Sequence, residues 1–453
     1  MAFPRRFCLN AATQPNRESL LATGGSNPLR GTIRVPGDKS ISHRAIMLGA
    51  IAEGETQVSG FLEGADAIST MNAFRALGVR IKGPEQGQVK VLGLGMRGLT
   101  GADHDLDCGN AGTAMRLMMG LLAGQNFSST LMGDESLSKR PMRRVADPLA
   151  MMGAQIVTRE GRPPVRILAS SGLHGIDYSM PIASAQVKSA LLLAGLYAEG
   201  FTRIHEPAPT RDHTERMLKG FGVKLDIDGA ARSLQGGQKL HACEIDIPAD
   251  VSSAAFFLVA ASIIPGSDLI LAHVGMNPTR TGIVQILKLM GARIDLMNPR
   301  EVGGEPVADL RIRSSQLKGI EVPSSLVPLA IDEFPVLFVA ACFAAGRTTV
   351  RDAEELRVKE SDRIAAMEAG LIACGAKVQA TADGMIIEGQ PDGSFNSCVI
   401  ESLGDHRIAM AFAVAGQRSA QHITILDTNN VATSFPGFVE LARSCGMQLR
   451  QQS

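Results

Sequence analysis

The chain has 453 residues, with 45 Lys and Arg against 45 Asp and Glu, so it carries no formal net charge. That balance excludes attraction of the whole molecule to nucleic acid or to an anionic membrane, and any affinity for anions must be local. With 45% hydrophobic and 20% charged residues the bulk is folded, the length suggests two domains, and the lack of Trp argues against base-stacking platforms.

At the N-terminus Arg5 and Arg6 are followed by the polar stretch Asn10–Ser19, which is no secretory signal, and residues 1–28 are expected to be a flexible extension. No apolar run approaches the ~18 residues of a membrane span. The cysteines, Cys8, Cys108, Cys243, Cys342, Cys374, Cys398 and Cys445, are odd in number and show no C-x-x-C pair. Several lie in apolar stretches, so reduced buried thiols in a reducing cytoplasm are expected.

The chain then repeats itself. An apolar residue or Cys, a Gly, two residues and an aliphatic recur six times, with glycines at Gly78, Gly153, Gly222, Gly291, Gly375 and Gly446. Each phrase ends a segment with apolar residues at helical spacing, and each Gly suits the left-handed position beyond a helix C-terminus, so a strand should follow. Upstream of each phrase lies a segment apolar nearly all round: Ala45–Ile51, Met115–Leu122, Ala190–Leu196, Ala254–Ala261, Phe334–Ala341 and Ile408–Val414. Helices of that kind must be buried. Six such units predict α/β layers wrapped around inward-facing helices, three units to a domain.

Polar residues gather where those helices begin. Lys39, Ser40 and Arg44 fall in the first turns of the first buried helix; Lys139-Arg140, Arg211-Asp212-His213, Lys359–Arg363 and Asp405-His406-Arg407 hold similar places in other units. Cations at a helix N-terminus oppose its dipole and therefore suit an anionic ligand, although a capped, solvated turn explains any one of them alone. Converging helix ends would add free N–H groups to the same anion-attracting cleft. Asp332 and Glu360 are the acid–base candidates, each also readable as a cap or a surface pair on its own. Phosphate-loop, zinc-spacing and Ser-hydrolase motifs do not occur.

In order along the chain, Lys-Ser-x-Ser-His-Arg at Lys39–Arg44, Gly109–Thr113, Arg140-Pro141, Ser184-Ala185-Gln186, Arg357–Arg363 and Asp405–Arg407 resemble the 5-enolpyruvylshikimate-3-phosphate synthase (EPSP synthase) family. The resemblance runs from about Leu29 to the C-terminus. It implies a two-domain inside-out α/β barrel of six βαβαββ repeats, crossing between domains near Pro36–Lys39 and Ala249–Ser252. Residues 29–37 with 251–453 would form the C-terminal domain and residues 38–250 the N-terminal one, with the site in the cleft between them.

It further implies transfer of the enolpyruvyl group of phosphoenolpyruvate to the 5-hydroxyl of shikimate 3-phosphate by addition and elimination. By motif, Lys39, Ser40, Arg44, Ser184, Ala185, Gln186, Arg211, Asp332 and Lys359 would hold shikimate 3-phosphate. Lys39, Gly112, Arg140, Gln186, Arg363 and Arg407 would hold phosphoenolpyruvate. Glu360 would move the proton at the methylene carbon, and Asp332, with Lys39 nearby, the hydroxyl proton. No metal or organic cofactor is implied, and a cytoplasmic monomer, with glyphosate as a competitive inhibitor, is expected.

Thr433 stands where much of the family has Lys, and Ala185 where it often has Ser; with Thr210–Thr214 and Ile331–Pro335 these features resemble the family's second class. Arg211 is the candidate replacement for the missing cation. Two other readings remain at this stage: the sister transferase acting on UDP-N-acetylglucosamine, whose reactive Cys is missing from Asp134–Lys139, and a non-catalytic anion-binding repeat protein.

Overall fold

The computed structural model describes residues 18–25 and 27–452. All six apolar segments are helices: Lys39–Ile51, Gly112–Leu122, Ala185–Gly195, Val251–Ile263, Phe334–Cys342 and His406–Gly416. Every residue of Val251–Ile263 and of Phe334–Cys342 is buried, as helices without a polar face require. Small residues let them approach closely: a Cβ on Gly120 would lie 2.0 Å from the carbonyl oxygen of Ala190 on the neighbouring helix.

The amphipathic partners are Ala65–Ala76, Arg143–Met151, His213–Gly220, Gly282–Leu289, Arg363–Ala373 and Phe438–Ser444. The glycine after each has positive φ, from +85° to +118°, and a strand follows in every case. The repeat is thus a physical one: a left-handed residue turns each helix back into a β-strand.

Buried apolar side chains form two clusters, one spanning Ile41 to Ile247 and the other combining Leu20–Val35 with Ala249–Leu449. In each, three buried helices are ringed by short separate sheets, the inside-out α/β arrangement. The sheets also show the double crossing. Arg30–Ile33 pairs with Asp268–Gly275 in the second cluster, whereas Glu244–Asp246 returns to pair with Ala52–Ser59 in the first. The two crossing segments touch, with Asp38 N donating to Pro248 O at 2.8 Å and Asp250 N to Pro36 O at 2.9 Å.

One expectation is corrected. The extension does not reach residue 28, because Ser19–Thr23 is a strand lying between His422–Leu426 and Leu449–Gln452. Leu20 and Ala22 alternate into the core, and the strand takes the place that the last hairpin strand fills in the other units. The C-terminal unit is therefore completed by the N-terminus. Residues 1–17, including Cys8, lie outside the described residues. Among those described, no helix is long and apolar enough to cross a membrane.

Candidate active site

Helix N-termini from both clusters meet around one group of charges. Asp38, Ser184, Asp250 and Asp405 cap buried helices through their own side chains, each accepting from a backbone N–H in the first turn. Capping consumes these residues and leaves the adjacent cations to the cleft. Lys39 Nζ reaches Asp66 Oδ2 at 2.8 Å and, from the other cluster, Ser434 Oγ at 2.7 Å.

Arg140 projects from the first cluster to within 3.6 Å of Glu360 Oε1 in the second, while its guanidinium donates to Asn110 Oδ1 at 2.6 Å. Arg363 donates to Glu360 Oε2 at 2.6 Å and to Asp405 Oδ2 at 2.8 Å. Burial pushes the Glu360 carboxyl up, but the Arg363 and Arg140 guanidiniums, with the Lys39 ammonium, outweigh it and hold the group well below the usual carboxylate range. Glu360 is thus ionised in a ring of cations.

Asp332 forms the other pole. It accepts from Arg211 at 2.5 Å across the cleft and lies 3.5 Å from both Lys359 Nζ and Arg363 NH1. Burial again opposes ionisation, yet Lys359, Arg211, Arg407 and Arg363 keep its carboxyl far below normal. Its neighbour Glu333 has the opposite fate: desolvation dominates, and its carboxyl is raised. Arg407 donates to the Asp332 carbonyl at 2.8 Å, and so fixes the backbone between these two acids.

The sequence-derived residues do not all sit alike. Lys39 contributes to the field at Glu360 and is paired with Asp66, whereas the cations directly on Asp332 are Arg211, Lys359 and Arg363. In the free protein the Lys39 ammonium is thus paired with Asp66. Arg211 is engaged with Asp332, and the cation at the Thr433–Ser434 turn is Lys39. Arg44 is 3% exposed, with its three nitrogens donating to Thr214 Oγ1, the Ser40 carbonyl and Ser189 Oγ. It sits behind Ser40. Ala185 is the first residue of its helix, and Ser184 Oγ accepts from Val187 N.

Gln186 is bracketed by a residue that the motifs did not single out. Arg116 donates to Gln186 Oε1 at 2.7 Å and to the Pro141 carbonyl at 3.0 Å, and Gln186 donates to Thr113 at 2.9 Å. Desolvation, with Arg144 and Arg140 nearby, lowers the Arg116 pKa to about 9. The signal was available, since an Arg in the apolar run Ala114–Leu122 needs a polar partner. A Cβ on Gly112 would stand 3.1 Å from Arg140 NH1 and 3.3 Å from Arg116 NH1, so Gly112 opens the space between these guanidiniums.

Arg280 was also missed. It is buried and joins both crossings, lying 3.2 Å from Asp38 Oδ2 and 3.1 Å from Asp250 Oδ1 while donating to Ser252 Oγ at 2.7 Å. Nothing in Thr279–Thr281 announces this, because its partner Asp38 is 242 positions away.

The assembled site holds two ionised carboxylates among guanidinium and ammonium groups, an arrangement that binds compact anions and can move protons. A family model described as EPSP synthase (3-phosphoshikimate 1-carboxyvinyltransferase) matches residues 23–441. A protein of Alkalilimnicola ehrlichii named 3-phosphoshikimate 1-carboxyvinyltransferase is 63% identical over 422 residues, 93% of this chain and 94% of that one. One of the same name from Methylococcus capsulatus is 58% identical over 435 residues, covering 96% and 99%. A solved EPSP synthase from Acinetobacter baumannii superposes with a TM-score of 0.88 at 53% identity, covering 96% of this chain and all of that one.

Proposed function

The chain belongs to the EPSP synthase family, and from that premise we propose how its cleft residues divide the reaction. The protein is a 3-phosphoshikimate 1-carboxyvinyltransferase: it transfers the enolpyruvyl group of phosphoenolpyruvate to the 5-hydroxyl of shikimate 3-phosphate and releases phosphate. Both substrates are phosphorylated carboxylates, which is why a chain without net charge concentrates guanidinium groups at one place.

In our reading Arg140, Arg363, Arg407, Lys39 and Gln186 hold phosphoenolpyruvate, with Gly112 leaving room for it. Arg211, Lys359, Asp332, Ser40, Ser184 and Ala185 hold shikimate 3-phosphate, and Arg44 sets the position of Ser40 through its carbonyl. Arg116 orients Gln186.

The observation that carries the division is that the two carboxylates share Arg363 but otherwise sit among different cations, Arg140 at Glu360 and Arg211 with Lys359 at Asp332. Arg140 and Arg363 keep Glu360 ionised in the free protein. When phosphoenolpyruvate places its own negative charge on them, the field at Glu360 weakens and its proton affinity rises toward that needed for a general acid. Glu360 then protonates the methylene carbon, and takes a proton back during elimination. Asp332 stays ionised beside Arg211 and Lys359, and accepts the hydroxyl proton of the acceptor.

A cytoplasmic monomer is the working form in this reading. Glyphosate, a compact phosphonate and carboxylate, fits the phosphoenolpyruvate cations as a competitor. Deuterium uptake at C3 of phosphoenolpyruvate in heavy water, with shikimate 3-phosphate present, tests the assignment. Uptake should be lost in Glu360→Gln, and retained uptake would overturn the role given to Glu360.

A further inference from the structure

Cys374 and Cys398 have no motif spacing, yet their Sγ atoms are 3.1 Å apart. The backbone brings them together. Cys374 follows the last residue of the helix Arg363–Ala373, its carbonyl accepts from Asn396 N at 2.9 Å, and Cys398 opens the strand Cys398–Glu401. That strand leads to Asp405, which receives Arg363 at the opposite end of the same helix. Helix and strand are therefore joined by an ion pair at the active-site end and by two touching sulfurs at the other.

A disulfide needs its sulfurs about 2.05 Å apart, so closure asks for a movement of only ~1 Å. The two thiols are unequal in a useful way. Cys398 is partly exposed, whereas Cys374 is buried. Burial raises the Cys374 thiol, and its sulfur is the one further from solvent. Cys398 is thus the member that forms a thiolate within reach of a solvent oxidant.

We infer that Cys374 and Cys398 form a peroxide-sensitive dithiol that closes to a reversible disulfide. The Cys398 thiolate attacks one oxygen of hydrogen peroxide; the O–O bond breaks, hydroxide leaves and a sulfenic acid remains. Cys374 then gives up its proton to hydroxide and attacks the Cys398 sulfur. The S–S bond forms as the S–O bond breaks, and the departing hydroxide takes up the proton that Cys398 released on ionising and leaves as water. In sum two thiols are oxidised, one peroxide is reduced and two waters form. The crosslink closes a loop around the hairpin Lys377–Gly389 and restricts the unfolded chain, so the oxidised protein should melt at a higher temperature.

The test treats the full-length protein with hydrogen peroxide, alkylates the remaining thiols and maps the peptides by mass. We expect loss of two alkylatable thiols of the seven, a linked peptide pair carrying Cys374 and Cys398, and return of both on reduction. Cys243, also partly exposed, serves as the internal comparison. In Cys374→Ser the sulfenic acid at Cys398 should persist and advance to sulfinic acid, and the reductant-sensitive rise in Tm should vanish. Cys374 remaining alkylatable after peroxide, a link from Cys374 to Cys342 instead, or identical oxidation of Cys398 in the wild type and Cys374→Ser would each overturn the proposal.

Discussion

Arg140 and Glu360 flank different hydrophobic clusters, 220 positions apart in sequence, yet the guanidinium lies 3.6 Å from the carboxylate. Such a contact exists only where the two halves of the molecule face each other closely, so the charged group around Glu360 is assembled by the approach of the halves.

Substituting Glu360→Gln keeps the shape and removes the carboxylate proposed to transfer the proton. Turnover should fall by about 10²–10⁴-fold, the usual contribution of a positioned acid or base. Binding of phosphoenolpyruvate and shikimate 3-phosphate, followed by calorimetry, should change far less. Parallel losses of affinity and turnover would instead make Glu360 a structural partner of Arg363.

Arg280 tests the crossings. In Arg280→Met the carboxylates of Asp38 and Asp250 lose their shared cation while buried, which should cost about 3–5 kcal/mol in stability. Denaturant titration measures it. An unchanged midpoint would show that the caps alone hold the crossing segments.

Two buried histidines set the acid response. Desolvation lowers His43 from 6.5 to about 4 and His406 from 6.5 to about 3. The unfolded chain therefore binds protons that the folded chain refuses as pH falls below 6.5, and stability drops across that window. Glu360, Asp332 and Asp405, whose folded carboxyls are depressed, extend the loss below the unfolded carboxylate range. His43→Asn, which can still meet Thr70, should flatten the fall between pH 6.5 and about 4 in thermal melts; an identical pH dependence would contradict this.

Gly112→Ala places a methyl group against Arg140 and Arg116. Both guanidiniums would have to give by a few tenths of an ångström, and an inhibitor bulkier than the substrate suffers more. The glyphosate inhibition constant should therefore rise more than the KM for phosphoenolpyruvate. Equal rises in steady-state assays would refute it.

What the sequence revealed follows from range. The six buried helices were legible because apolar residues on every side leave a helix no other place, and the glycines because a left-handed turn selects them locally. Arg116 sat in plain view within an apolar helix, but only its partner Gln186, 70 positions away, gives it meaning. Ser19–Thr23 was read as extension because its strand partners lie at the far end of the chain. Arg44 matched a motif, and only the fold shows its donors turned to Thr214, Ser189 and Ser40.

The central claim is that two phosphorylated carboxylates meet in this cleft and exchange an enolpyruvyl group. Phosphate release from phosphoenolpyruvate, measured with and without shikimate 3-phosphate and with UDP-N-acetylglucosamine in parallel, tests it most directly. The account predicts release that depends on shikimate 3-phosphate; release with the nucleotide sugar alone, or with neither acceptor, would contradict it.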